Sequence, residues 1–216
     1  MSQQATTQTA VPATVGVVLA GGLARRMGGA DKTRIRIDGA TMLDRVLARL
    51  APQCRRLILN AAGDAGRFTD TGLPVIRDAV PDYAGPLAGL LAALDWAASA
   101  TPEIAWVASA PSDCPFLPPD LVARLHQARI KAGAQLACAA SGGRRHPVVG
   151  LWAVALREDL RRALTQEGMR KVDQWTARYP LGVAEWPATP VDPFFNVNTP
   201  EEAAAADLIA ARHPEL

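Results

Sequence analysis

Lysine is almost missing from this chain: among 23 cationic residues only Lys32, Lys131 and Lys171 are lysines, and the rest are arginines. A lysine at any of those positions is therefore an unusual choice. Histidine is equally scarce, with only His126, His146 and His213, which leaves little general acid–base machinery. The three cysteines, Cys54, Cys114 and Cys138, are odd in number and far apart with no CxxC spacing. That excludes the usual zinc and disulfide frameworks and fits a reducing cytoplasm. Long hydrophobic runs are missing too. The most apolar region, Leu87 to Pro111, is broken by Asp95, Pro102 and Glu103, short of the roughly 18 apolar residues a membrane span requires. The opening residues, rich in Gln, Thr and Ala, lack the basic start and apolar stretch of a secretory signal. A soluble protein is expected, with residues 1–13 as a disordered N-terminal tail and one domain over residues 14–213.

What is present is ordinary globular material. The 216 residues are 49% apolar and 20% charged, enough to build one continuous core. A net charge of +2 says little about partners, and neither nucleic acid nor a membrane surface is expected. Val15 to Ala20 is a short apolar run ending in glycines, as in a strand buried on both faces of a parallel sheet. Arg56 to Asn60 and Ile104 to Ala110 are similar runs. Between them, Thr41 to Leu50 places Met42, Val46, Leu47 and Leu50 at helical spacing, and Leu87 to Ala98 reads as an Ala-rich helix. Strand alternating with helix predicts βαβ units. Further on, Leu136 to Ala139 and Val148 to Trp152 read as strands, and Leu156 to Leu164 and Lys171 to Tyr179 as helices. Thr199-Pro200-Glu201-Glu202 has the N-cap, first-turn proline and acids that open a last helix.

In parallel sheets ligands gather beyond the carboxyl ends of the strands, which directs attention to Gly21 onward, Asn60, Asp78 and Asp113. The segment Leu19-Ala20-Gly21-Gly22-Leu23-Ala24-Arg25-Arg26-Met27-Gly28-Gly29-Ala30-Asp31-Lys32 carries most of the chemistry. Glycines after a buried strand free backbone N–H groups to face an anion, and two arginines and a lysine add countercharge suited to a triphosphate. A P-loop needs Gly directly before its Lys, where Asp31 stands, and no GxGxxG follows the strand. The bland alternative is a Gly/Arg surface turn. Gly142-Gly143-Arg144-Arg145-His146 reads as a flexible rim loop able to order on binding.

The pattern LAGGxxxRMGxxK at Leu19 to Lys32 resembles the nucleotidyltransferases of GT-A-like, Rossmann-type fold. Four further stretches narrow the resemblance to the molybdenum cofactor guanylyltransferases: Gly85-Pro86-Leu87-Ala88-Gly89, Ser112-Asp113-Cys114-Pro115-Phe116-Leu117, Arg145-His146-Pro147 and Asn196-Val197-Asn198-Thr199-Pro200. The resemblance implies an α/β fold of three α/β/α layers around a mostly parallel central sheet. It implies transfer of GMP from Mg·GTP to the phosphate of molybdopterin, with release of pyrophosphate. Lys32, Asp113 and Arg25 would be catalytic, and Asp113 would hold Mg²⁺. Leu19, Ala20, Gly21, Gly22, Lys32, Asn60, Asp78, Gly89 and Asp113 would contact the nucleotide. His146, Arg170, Lys171, Asn196 and Asn198 would face molybdopterin, and transient docking to molybdoenzymes or cofactor-insertion chaperones is implied as well.

Each of these residues has an ordinary reading beside the functional one: Lys32 as a solvated lysine, Asp113 as the cap of the turn at Pro115, Asn60 and Asp78 as turn formers. Cys114 reads as a small packing residue. Two other functions fit the same residues. One is a cytidylyl or sugar-phosphate nucleotidyltransferase of the same fold, and the other a non-catalytic GTP-binding cofactor carrier.

Overall fold

In a computed structural model of the chain, residues 10–21, 32–80 and 85–215 are described. Nine strands occur among them: β1 (Val15–Leu19), β2 (Arg36–Ile37), β3 (Ala40–Thr41), β4 (Arg56–Asn60), β5 (Val75–Ile76), β6 (Trp106–Pro111), β7 (Leu136–Ser141), β8 (Arg144–Ala153) and β9 (Gly182–Trp186). The helices are α1 (Met42–Leu50), α2 (Pro86–Ala100), α3 (Leu121–Lys131), α4 (Arg157–Thr165), α5 (Val172–Thr176) and α6 (Pro200–Arg212). Seven strands form one sheet in the order β5-β4-β1-β6-β8-β7-β9, and β2 and β3 form a separate hairpin. Strands β5, β4, β1 and β6 run parallel, β8 opposes both β6 and β7, and β9 is parallel to β7. The expected mostly parallel α/β sheet is present.

The burial pattern explains the layers. Val15, Val17 and Val18 of β1 are fully buried, because the strand lies mid-sheet with helices on both faces. On one face α1 and α3 contribute Leu43, Val46, Leu50, Leu121 and Leu125 to a cluster with Val18, Leu59 and Leu151. On the other, α2, α4 and α5 contribute Leu87, Leu91, Leu94, Leu160 and Trp175, packed on Val15, Ile58 and Trp152. Helix α2 is sealed along most of its length, matching its Ala/Leu composition, whereas α1 buries one stripe only. A smaller cluster of Ile37, Met42, Phe116, Val197, Ala206 and Ala210 fastens α6 to the β2–β3 hairpin. Capping boxes start α1 at Thr41–Asp44 and α6 at Thr199–Glu202.

Several expected boundaries move. The helix expected over Lys171 to Tyr179 is shorter, Val172–Thr176, with Lys171 as its N-cap. The helix expected from Leu156 begins at Arg157, after a 3-10 turn over Val154–Leu156. The expected rim loop over Gly142 to His146 is instead the tip of a β-hairpin. Gly142 and Gly143 have φ of 54° and 75°, the paired left-handed positions a two-residue hairpin turn needs. Arg144, Arg145 and His146 then pair with Ser141, Ala140 and Ala139. Between the Cys138↔Gly150 and Ala139↔His146 pairs the register shifts, so Pro147, Val148 and Val149 bulge from the ladder. Pro147 is tolerated inside a central strand there because its missing N–H costs no ladder bond.

At the edge away from the strand ends that carry the motifs, His126 anchors the start of the fold. Thr14 Oγ1 donates to the Pro12 carbonyl at 2.8 Å and lies 2.8 Å from His126 Nε2, while Arg129 Nε donates to His126 Nδ1 at 3.0 Å. A hydroxyl has one proton, so Thr14 accepts from Nε2–H and the ring is neutral. Burial, with the Arg129 charge adding to it, pushes the His126 pKa down to about 4. Unfolded, the ring titrates near the ordinary 6.5, so the unfolded chain binds more protons between those values. Stability is complete above about pH 6.5 and falls as pH drops toward 4, by roughly 2–3 kcal/mol. Denaturant midpoints measured from pH 7.5 to 4.5 should show this loss, and His126→Gln should remove its steepest part. An identical pH slope in the variant would contradict the assignment.

Candidate active site

The carboxyl ends of β1, β4, β5 and β6 deliver Gly21, Asn60, Asp78 and Asp113 to one edge of the sheet. Backbone hydrogen bonds lock this edge. Ala20 N–H donates to the Asn60 carbonyl at 2.8 Å, Ala61 N–H to the Ile76 carbonyl at 3.0 Å, and Ser112 N–H to the Leu19 carbonyl at 3.1 Å. Ala20 is buried and Gly21 is exposed beyond it. Gly22 and Arg25 lie outside the described residues.

Lys32 sits where the glycine-rich segment ends, in a 3-10 turn over Lys32–Arg34. Its Nζ donates to Asp113 Oδ2 at 2.8 Å and to Asn198 Oδ1 at 2.6 Å. An ammonium group has three N–H donors, so this geometry uses two. The Lys32 and Asp113 side chains are 14% and 19% exposed, which makes this a half-buried pair rather than a screened surface one. The pairing also orients the Asn198 amide, since its oxygen must face the ammonium.

Asp113 has a second feature. Its Oδ1 is the one buried side-chain polar atom without a hydrogen-bond partner among the described residues. Leaving such an atom unmade costs about 1–3 kcal/mol. A hard cation that keeps most of its ligands as water and phosphate oxygens needs only one or two carboxylates, and Oδ1 meets that need. No cluster of three metal-ligating His, Cys, Asp or Glu side chains occurs among the described residues.

Other parts of the chain support this node. Val197 N–H donates to the Asp113 carbonyl at 2.9 Å, which docks the Asn196–Asn198 segment on the end of β6. Glu202 Oε2 accepts from the N–H groups of Asn198 at 2.6 Å and Thr199 at 3.0 Å. The capping box of α6 thereby also fixes Asn198. On the other side, Arg34 grips Asp70 with two bonds of 2.5 and 2.9 Å and stacks 6.0 Å from the Phe68 ring centroid. Neither Glu202 nor Asp70 was expected from sequence to matter at the site. The Thr199-x-x-Glu202 spacing could have flagged the first, but nothing local flags the second. Cys114 is buried, and burial, aided by the Asp113 charge, drives its thiol well above the ordinary value, in keeping with a packing role.

The expected nucleotide residues divide into surface and support. Asn60 is only 3% exposed. Its Nδ2 donates to Asp78 Oδ1 at 3.0 Å, and its Oδ1 lies against Gly89, where an added Cβ would fall 2.2 Å away. Gly89 is therefore required by close approach, and Asn60 holds Asp78 in place. Leu19 abuts the same glycine. Among the expected acceptor residues, Asn198 joins the Lys32 node, Asn196 is exposed beside it, and Arg170 and Lys171 are exposed ahead of α5. The Arg170 carbonyl lies 3.7 Å from the Cβ position of Gly85, the N-cap of α2, which brings the two sides of the edge together.

Residues 16–179 match the MobA-like NTP transferase domain. The chain belongs to that family. Two relatives, from Nitrobacter hamburgensis and from Rhodopseudomonas palustris, are each 60% identical to it over 201 residues, 93% of this chain and 96% of theirs, and both are named molybdenum cofactor guanylyltransferase. Among solved structures of MobA-like type, the molybdopterin-guanine dinucleotide biosynthesis protein A from Archaeoglobus fulgidus superposes with a TM-score of 0.72 at 24% identity. That match covers 92% of this chain and 99% of the other, and shows a shared fold. Among the described residues no helix of this MobA-like chain is long and apolar enough to cross a membrane.

Gly89→Ala tests the support role of Asn60. The new methyl should displace the Asn60 amide and leave Asp78 without its donor, costing about 1–3 kcal/mol of stability. KM for the nucleotide should rise about tenfold with kcat little changed. An unaltered KM would show that Asp78 does not depend on Asn60.

Proposed function

We propose that this protein transfers the GMP moiety of GTP to the phosphate of molybdopterin, releasing pyrophosphate and forming molybdopterin guanine dinucleotide. The observation that carries this reading is the Lys32–Asp113–Asn198 node at the carboxyl edge of the sheet. Its one spare ammonium proton and one unpartnered carboxylate oxygen suit a metal-bound phosphate chain. The guanine and molybdopterin assignments draw on the relatives' names.

The acceptor phosphate is itself a nucleophile, so no covalent enzyme intermediate is required and the protein supplies positioning and charge neutralisation. Lys32 uses its third N–H on a non-bridging oxygen of the α-phosphate, where negative charge grows during in-line attack. Asp113 Oδ1 would hold Mg²⁺, which would supply Lewis-acid neutralisation of the triphosphate. Asp113 Oδ2 keeps the ammonium aligned, and Asn198 Oδ1 braces it with a second bond. Gly21 and Gly22 offer backbone N–H groups to the phosphates, Leu19 and Ala20, whose own backbone is taken up by the sheet edge, set that glycine turn in place beside the nucleotide, and Arg25 adds countercharge. Asp78, held by Asn60, accepts from ribose hydroxyls or the guanine edge, and Gly89 permits the close packing behind it. His146, Arg170, Lys171 and Asn196 face the acceptor. The protein acts in the cytoplasm through one domain over residues 14–213. It hands its product to molybdoenzymes or cofactor-insertion chaperones by transient docking.

Pyrophosphate release should be confined to GTP when ATP, CTP, GTP and UTP are compared, and should require a molybdopterin source. Release with CTP, or with a sugar phosphate as acceptor, would replace this reading with a rival of the same fold. Lys32→Ala should lower kcat by about a hundredfold or more, on the scale of losing one preorganised charge donor, while GTP affinity changes by only a few-fold. Equal losses in both would make Lys32 a binding group. Asp113→Asn should abolish the dependence of the rate on Mg²⁺ concentration, and a normal metal titration in that variant would move the metal elsewhere.

A further inference from the structure

Resting on molybdopterin as the acceptor, we infer that His146 reads the pterin ring of that substrate. It does so as a neutral imidazole whose Nδ1 lone pair accepts an N–H, and not as a cation binding phosphate. Ser141, the last residue of β7, determines this. Its Oγ lies 2.7 Å from Asp192 Oδ1 and 2.8 Å from His146 Nε2. The same Asp192 oxygen accepts from the Phe194 N–H at 3.0 Å, so it is the acceptor toward both neighbours. The one serine proton is committed to Asp192, so Ser141 must accept from His146. Nε2 therefore carries the hydrogen, and in a neutral ring Nδ1 is the acceptor. The Asp192–Ser141–His146 chain sets the tautomer as well as the ring's orientation.

The location fits a substrate-reading role. The His146 ring packs 4.8 Å from the ring of Phe194, whose carbonyl is touched by the Cys114 thiol at 3.7 Å, next in sequence to Asp113. His146 is thus one aromatic ring away from the residue after the metal-binding carboxylate. It pairs with Ala139 where the bulge over Pro147–Val149 interrupts the β7–β8 ladder, the sort of irregularity that re-aims a side chain. No group bonds Nδ1 among the described residues, and the ring is half-buried. Nδ1 is not a sealed atom either, since Asp113 Oδ1 alone has that status among the described residues, so it opens to solvent.

Its surroundings keep the ring neutral near pH 7. Burial is the largest influence and holds the His146 pKa below its ordinary value. Arg144 pushes the same way, while Asp192 and Glu185 oppose. A lone pair attracts N–H donors and repels phosphate oxygens. Molybdopterin offers both, and its phosphate is needed as the nucleophile at the α-phosphorus of GTP, which leaves the pterin N–H groups for His146.

Long-range ¹H–¹⁵N spectra of the full-length protein with labelled histidine distinguish the two neutral tautomers, and His146 is assigned by its loss in His146→Asn. The expected state at pH 7.5 is Nε2–H, whereas Nδ1–H or imidazolium would overturn the inference. Ser141→Ala should give a mixture of tautomers. In turnover with molybdopterin, His146→Asn, whose Oδ1 stands near the Nδ1 position, should keep the acceptor KM within about threefold. His146→Gln should raise it about tenfold, the scale of one lost hydrogen bond, with the GTP KM unchanged in both. As pH falls below the ordinary histidine value, the acceptor KM should rise in the wild type and stay flat in His146→Asn. Asn and Gln variants that behave alike would sink the role of Nδ1. Failure of the wild type to turn over molybdopterin at all would instead sink the acceptor reading and the ligand named here.

Discussion

A single ammonium group is held between a carboxylate 81 residues away and an amide 166 residues away, and the carboxyl edge of the sheet is organised around that contact. Half-buried ion pairs contribute little net stability, because desolvation offsets most of their attraction. The value of this one lies in its asymmetry. Asp113 engages Lys32 with one oxygen and leaves the other buried and unpartnered. Among the described residues Lys32 bonds two protein groups and keeps a third proton. A protein selected only for stability would satisfy these groups internally, and their incompleteness supports the proposed place of a substrate and a metal.

Holding that node requires support from elements that never touch it. The capping box of α6 serves two purposes, since Glu202 stabilises the helix start and fixes the backbone of Asn198. Helix α6 in turn packs on the β2–β3 hairpin that follows Lys32, and Arg34 ties the intervening turn to Asp70. Displacement of α6 would therefore disturb both partners of the ammonium–amide bond together. The antiparallel β8 adds a different kind of support. Because it runs against its neighbours, its beginning and not its end lies at the carboxyl edge. Arg144, Arg145 and His146 thereby reach the same rim as the residues that close β1 and β6.

Legibility in the sequence followed the range of the interactions involved. Strands β1, β4 and β6 and helices α1 and α2 were visible because burial on one face or two writes a periodic or continuous apolar pattern into neighbouring residues. Strand β5 pairs through only Val75 and Ile76, too short for any pattern of its own, and in the sequence it is marked only by Asp78 beyond its end. Strand β9 alternates buried and exposed residues over Gly182–Trp186, a signal that was present but passed over amid the surrounding prolines. The hairpin tip at Gly142–Gly143 was misjudged as a loose loop because glycine pairs serve both flexible linkers and tight turns, and only the partner strand decides between them. At the site, Lys32, Asp113 and Asn198 were each legible by motif, but their meeting at one atom was not. Asp70, Ser141 and Asp192 carry no local signature, since their roles arise wholly from contacts across the fold.

The two buried or half-buried histidines show how proton counting separates support from function where burial alone does not. His126 and His146 are each held through Nε2 by a hydroxyl whose own proton is committed elsewhere, Thr14 to a carbonyl and Ser141 to a carboxylate. Both are consequently fixed as the same neutral tautomer. The difference lies at the remaining nitrogen. In His126 it accepts from Arg129, so the ring's hydrogen-bonding capacity is complete and its task is to fasten the start of the chain to α3. In His146 the corresponding nitrogen has no protein partner among the described residues. The same reasoning links His146 to Asp113 and Lys32: each is a polar group whose surroundings fix its orientation and leave one bonding position open, and those positions lie along one edge of the sheet.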